Sequence, residues 1–295
     1  MRSFFWFTLA ITVSVLLAAV LAYPLYVVIH PLKPEWWFDK IAARVWLPLM
    51  LVGLIWVTRH LGLRTRQQWG YGASWPRFVR LFLVGLVAGL VTMLPVTVSM
   101  LVLELRVVRI DYTLGVLGHA IAAGLGSGLV VGFLEETFFR GVIQGAVVRD
   151  LKLPVVAIVL VSFLFAALHF LASTRIPHDR VHWDSGLELL HAALSNFVAP
   201  AAILDRLLSL FAVGVLLGLV TWWTGNIALA VGLHAGWVWM MRATVLATHE
   251  NTNAQLGWLI SRGDGYTGWL VLGWTVLITG IAIRYRQRIR AHARA

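Results

Sequence analysis

Eight apolar runs punctuate the chain, at residues 4–29, 42–58, 79–103, 115–148, 154–172, 200–223, 226–248 and 266–284. A membrane-spanning helix needs about 20 mostly apolar residues, so each run predicts one crossing. The fourth run is longer than a span and is expected to extend beyond the bilayer or to begin as a separate segment. Between the fifth and sixth runs lies the longest polar stretch, 173–199, which reads as a loop carrying a surface helix. The first run, Ser3 to Ile29, greatly exceeds the apolar core of about 7–15 residues in a cleaved signal peptide, and predicts an uncleaved first transmembrane helix. There is no 20–50-residue repeat and no soluble second domain. The expectation is an all-α polytopic membrane protein, a single transmembrane domain over 1–295 with about eight helices in one bundle.

Small residues recur within the runs at helical spacing. Gly124, Gly128 and Gly132 form one row, and Gly85/Gly89, Gly214/Gly218 and Gly232/Gly236 repeat the interval. Such spacing lets helix backbones approach closely in lipid. The first row continues into Glu136 and Arg140, so the surface of closest packing leads to charged residues.

Composition agrees with the pattern. Of 295 residues 60% are hydrophobic, and the mean hydropathy is +0.83, against about 45–50% apolar residues in soluble domains. The net charge of +11 comes mostly from arginines flanking the apolar runs. That distribution fits the positive-inside bias and argues against a nucleic-acid partner. Arg2, the 59–80 connection and the tail RYRQRIRAHARA fall on one side of an eight-helix chain, which predicts cytoplasmic N- and C-termini in the plasma (inner) membrane. Trp36, Trp37, Trp222 and Trp223 flank runs and read as interfacial belts. Glu104, Arg106, Arg109 and Asp111 read as a solvated charged connection. The absence of cysteine excludes disulfides, thiolate nucleophiles and Cys-ligated zinc.

Against this apolar background a few ionisable residues stand out. Glu135, Glu136 and Arg140 lie in the fourth run, His169 in the fifth and His234 in the seventh. An ionisable group at membrane depth is costly and marks function or pairing. Glu136 and Arg140 are i,i+4 and can pair, which leaves Glu135 as the freer carboxylate. Glu135 and Glu136 diverge by about 100° around an ideal helix. A hairpin turning near Leu151 places Glu135 and His169 about 24 and 27 Å along its two arms, at similar depth. His234 stands between Gly232 and Gly236. His119 is about four turns before Glu135 and too far to join it. His178, His182 and His191 belong to the polar loop. His178 and His182 could share a metal if helical, but a solvated loop is the simpler reading.

The segment EETFFR at Glu135–Arg140 resembles the EExxxR motif of the CPBP family, the CAAX proteases and bacteriocin-processing enzymes. FAALH at Phe165–His169 is similar to that family's FxxxH motif, and TGNIALAVGLHAGW resembles its third, histidine-bearing motif. The resemblance covers about residues 115–240. It implies an eight-helix intramembrane endopeptidase in which Glu135 and His169 activate a water and His234 polarises the scissile carbonyl, with Glu136 and Arg140 in support. It also implies a membrane-associated protein or peptide substrate. Family members often carry Asn four residues after the third-motif histidine, whereas this chain has Val238. Two other readings remain open: a non-catalytic protein of the same fold, which Val238 favours, and an ion or proton transporter relaying charge through Glu135 and Glu136. No cofactor is expected. Zinc held by Glu135, His169 and His234 is the alternative, disfavoured because the HExxH spacing is absent.

Overall fold

The computed structural model describes residues 1–109, 113–171, 175–198, 200–261 and 265–294. Asp111 therefore lies outside the described residues. The chain is all-α and polytopic. Among the described residues six helical segments are long and apolar enough to cross a membrane, and two shorter apolar helices, Pro154–Leu168 and Trp269–Arg284, account for the remaining two apolar runs. The described residues form two compact units, one of Met1–Arg64 with Ala166–Leu204 and one of Thr65–Phe165 with Asp205–Ala295.

In the first unit, α1 (Arg2–Ile29) and α2 (Phe38–His60) pack together, and α7 (Ser185–Ser195) lies against α1. The α7 helix is the surface helix expected within 173–199. It approaches closely because Gly186 rests on the backbone of Ala19, where a Cβ would sit 2.9 Å from the Ala19 Cα. Ala18, Ala22, Tyr26, Phe38, Ile41, Val45 and Ile176 make the core of this unit. The polar loop is more ordered than its composition suggests. The His178 ring stacks on those of His30 and Trp37, at centroid distances of 4.5 and 4.7 Å, and its Nδ1 lies 3.0 Å from the Tyr26 hydroxyl. The i,i+4 relation of His178 and His182 is not realised on a helix, since only His178–Arg180 makes a single 3-10 turn.

The second unit is built around α9 (Ala228–Ala247), flanked by α3 (Trp75–Val102) and α4 (Leu114–Glu136). The glycine rows make these contacts. On α4, a Cβ at Gly124 or Gly132 would sit 2.9 or 3.0 Å from the carbonyl oxygens of Trp239 and Val231. On the α3 side, the Cα of Gly236 would be 3.0 Å from a Cβ at Gly89. With glycine at these positions, backbone packs on backbone, as close approach in lipid requires. Toward α8 (Leu204–Thr224), the residues Ala230, Leu233 and Trp237 of α9 join Leu216, Leu217 and Val220 in one apolar cluster. As a result every residue from Ala230 to Val238 is buried.

After Glu136 the fourth run changes register. Thr137–Gln144 is a π-helical segment, followed by α5 (Gly145–Leu151) and a left-handed Lys152 that turns the chain into α6 (Pro154–Leu168). The remaining helices are α10 (Trp269–Arg284) and a short basic α11 (Arg286–Arg294). Two observations correct the sequence reading. The connection at 104–109 is not simply solvated: β1 (Arg106–Val108) pairs antiparallel with β2 (Thr248–Glu250), and Arg106 is buried with its Nε donating to the Thr248 hydroxyl at 2.7 Å. Trp223 does not face outward as a belt residue would but is buried within its unit, whereas its neighbour Trp222 is exposed.

Candidate active site

The polar centre of the second unit is assembled from α4, the π segment and α9. Arg140 donates from Nη1 to Glu136 Oε1 at 3.0 Å, and both side chains are almost wholly shielded from solvent. The pairing expected from the i,i+4 spacing is therefore present. Arg140 is held further by Nη2, which donates to the Gly214 carbonyl at 3.4 Å, and by the Phe165 ring, 4.4 Å from its guanidinium carbon. A desolvated cation over an aromatic face is favourable by about 2 kcal/mol.

Glu136 does more than balance Arg140. Its Oε1 also lies 2.8 Å from His234 Nδ1. An ionised carboxylate only accepts hydrogen bonds, so Nδ1 carries the hydrogen and donates. The chain Arg140–Glu136–His234 thus orients the imidazole and turns Nε2 the other way. On that side Glu135 Oε2 lies 4.0 Å from His234 Nε2. The Glu135 side chain is 30% exposed, but its Oε2 is buried and makes no hydrogen bond, as does the second oxygen of Glu136. The two adjacent glutamates do leave the helix in different directions. Both still reach one imidazole, because its two nitrogens face apart.

The elements around this centre are tied at several points. Gln144, buried on the π segment, donates from Nε2 to the Gly218 carbonyl of α8 at 3.0 Å. The Tyr71 hydroxyl donates to Thr137 Oγ1, whose own hydrogen goes to the Phe133 carbonyl at 2.6 Å. Burial raises the Tyr71 hydroxyl above the ordinary phenol range, which keeps it protonated as a donor. The Gly70 carbonyl accepts from Ile227 N at 3.0 Å, and Asn226 Oδ1 accepts from Ala228 N at 3.0 Å. The TGN part of the third motif therefore shapes the start of α9, which carries His234. A π segment at such a place is common where function requires a local change of register. Nothing in the residue pattern distinguished it from an ordinary helix.

The other candidate residues fall as follows. Val238, one turn after His234, is buried. Phe165, which opens the FxxxH motif, has its ring 5.2 Å from that of Phe139 and 6.3 Å from that of His234. His169, which closes the motif, is half-buried and follows the end of α6 in a turn, its N–H donating to the Ala166 carbonyl at 3.2 Å. The expected helical run to 172 thus ends at Leu168. His119 is exposed on α4, 16 residues before Glu135. Among the described residues no three His, Asp or Glu side chains are arranged to hold a metal ion, and Glu136 Oε1 is already shared by Arg140 and His234.

No curated protein and no solved structure matches the chain. A family model does match, across 117–240, the stretch that contains all three motifs and the Arg140–Glu136–His234 chain; its description is "Type II CAAX prenyl endopeptidase Rce1-like", and over these residues the resemblance to the CPBP family, read from the motifs, holds.

Proposed function

We propose that the protein is an intramembrane endopeptidase that hydrolyses a peptide bond of a membrane-associated protein or peptide. The observation that carries this reading is an imidazole held by a buried carboxylate at Nδ1, with a second carboxylate, lacking a hydrogen bond at Oε2, on its Nε2 side. Glu135 acts as general base. It takes a proton from water as the water oxygen attacks the scissile carbonyl carbon, and the proton then passes to the leaving nitrogen as the C–N bond breaks. His169 shares in positioning that water, a role drawn from the family resemblance. His234, with Nδ1 donating to Glu136, presents Nε2 to the carbonyl oxygen and in its imidazolium form donates a hydrogen bond to the developing oxyanion. Glu136 and Arg140 are positioning residues: they act through His234.

The membrane-embedded setting and the matched family support a substrate that reaches the site from the bilayer or its surface, and cytoplasmic termini follow from the basic loops. The test compares membrane-peptide termini in cells carrying the wild-type chain with those carrying Glu135→Ala. New termini that depend on Glu135 identify the substrate, and identical terminus profiles would overturn the reading. Val238 favours a second reading, a non-catalytic protein of the same fold, because the position where relatives carry an oxyanion donor here holds a buried apolar side chain.

A further inference from the structure

One end of the second unit carries a concentration of positive charge that the proposed reaction does not use. The basic helix α11 follows directly on the apolar helix α10, so it leaves the bilayer at the membrane surface. It does not trail away. Ala293 is buried in a cluster with Phe78 and Leu81 of α3, with Ile227 just before α9, and with Ala228 and Val231 of α9. Arg80 Nη2 donates to the His292 carbonyl at 3.3 Å, and the Arg290 guanidinium lies 5.6 Å from the Trp222 ring centre. The start of α3, the end of α8, the start of α9 and α11 are thereby gathered at one end of the unit. The segments 65–80, 222–228 and 284–294 contain no Asp or Glu. Arg80, Arg284, Arg286 and Arg288 are exposed there, and Arg77 has a buried Nε without a hydrogen-bond partner. Trp75, 70% exposed, and Tyr285, 45% exposed, flank the patch with amphipathic rings of the kind that settle at headgroup level.

We propose that this arginine patch binds the phosphodiester headgroups of anionic phospholipids. The complement is one of chemistry: several guanidiniums, in segments that carry no carboxylate of their own and at the surface level of the membrane, match phosphate oxygens as bidentate acceptors. A polybasic segment beside a membrane helix attracts anionic lipid by a term equivalent to about five-fold in affinity per arginine. Because Ala293 packs against the first turn of α9, bound lipid also fastens the helix that carries His234 at its membrane-surface end.

The experiment uses the full-length protein in detergent micelles, with retention of dioleoyl-phosphatidylglycerol and dioleoyl-phosphatidylcholine measured by native mass spectrometry over a range of NaCl concentrations. Wild-type protein is expected to retain phosphatidylglycerol preferentially, with the preference falling as salt rises. Arg286→Gln with Arg288→Gln, both exposed, should lower phosphatidylglycerol affinity by roughly 25-fold and leave phosphatidylcholine unchanged. Arg80→Gln with Arg290→Gln should do the same; if that pair fails to fold, the exposed pair alone decides. Equal retention of the two lipids, or a preference untouched in the exposed double variant, overturns the proposal. Loss of the preference on adding inorganic phosphate at matched ionic strength would make free phosphate the occupant and would likewise overturn it.

Discussion

Replacing Arg140 by Met isolates the energetic core of the site. The side chain keeps much of its length and apolar contact but loses the charge. In the structure the guanidinium has three partners: Glu136 Oε1 at 3.0 Å, the Gly214 carbonyl at 3.4 Å and the Phe165 ring at 4.4 Å. For two unit charges 3.0 Å apart, an effective dielectric of about 20 gives an attraction of about 5–6 kcal/mol. Breaking one partner from a buried pair costs about 3–5 kcal/mol, because the survivor is left uncompensated. Arg140→Met is therefore expected to destabilise the protein by about 3–5 kcal/mol. Activity per folded molecule should also fall, because Glu136 would be left to satisfy His234 alone. Adding Glu136→Gln removes the stranded charge, so the double variant should be more stable than Arg140→Met by itself. The assay is denaturant or thermal unfolding in micelles for the two single variants and the double, read as a cycle. Arg140→Met with less than about 1 kcal/mol of destabilisation, or effects that simply add, would refute a coupled buried pair.

Other outcomes follow from the same geometry. Glu135→Gln should abolish turnover while unfolding as wild type, since its Oε2 makes no hydrogen bond that the amide would lose; residual turnover near wild type would remove its role as base. His169→Ala is expected to be equally inactive, and the double variant no slower than either single one, because residues acting as a unit lose activity non-additively. Gly128→Val should prevent accumulation of folded protein, because an added Cβ drives into the Ala235 carbonyl of α9 where neither backbone can yield; normal expression would contradict the close α4–α9 approach. Val238→Asn supplies a donor on the face of His234, and turnover per folded molecule should hold or rise if an oxyanion donor is what the position lacks. A fall in turnover at unchanged stability would instead make Val238 part of the substrate cavity.

Much of the architecture was legible along the chain because the bilayer simplifies the code. Within lipid, backbone groups must be satisfied internally, so long apolar runs become helices and their number follows from hydropathy alone. The glycine rows were informative for a related reason: small residues four apart specify where backbones touch, and Gly124, Gly128 and Gly132 do face α9. The Glu136–Arg140 pair was readable because i,i+4 contact is local to one helix. Local rules could not reach further. The carboxylate–imidazole bond between Glu136 and His234 joins residues 98 positions apart, so only the packing of α4 on α9 decides it. The π segment after Glu136 leaves no mark in the residue pattern, and its last residue, Gln144, meets the Gly218 carbonyl of α8, 74 positions away. The same limit explains Arg106, which looks like a loop arginine from its neighbours in sequence. Its burial is set by pairing with Thr248, on a strand 142 residues away. Local spacing and hydropathy determined which segments span and which residues could meet; tertiary packing alone decided that one imidazole would stand between two adjacent glutamates.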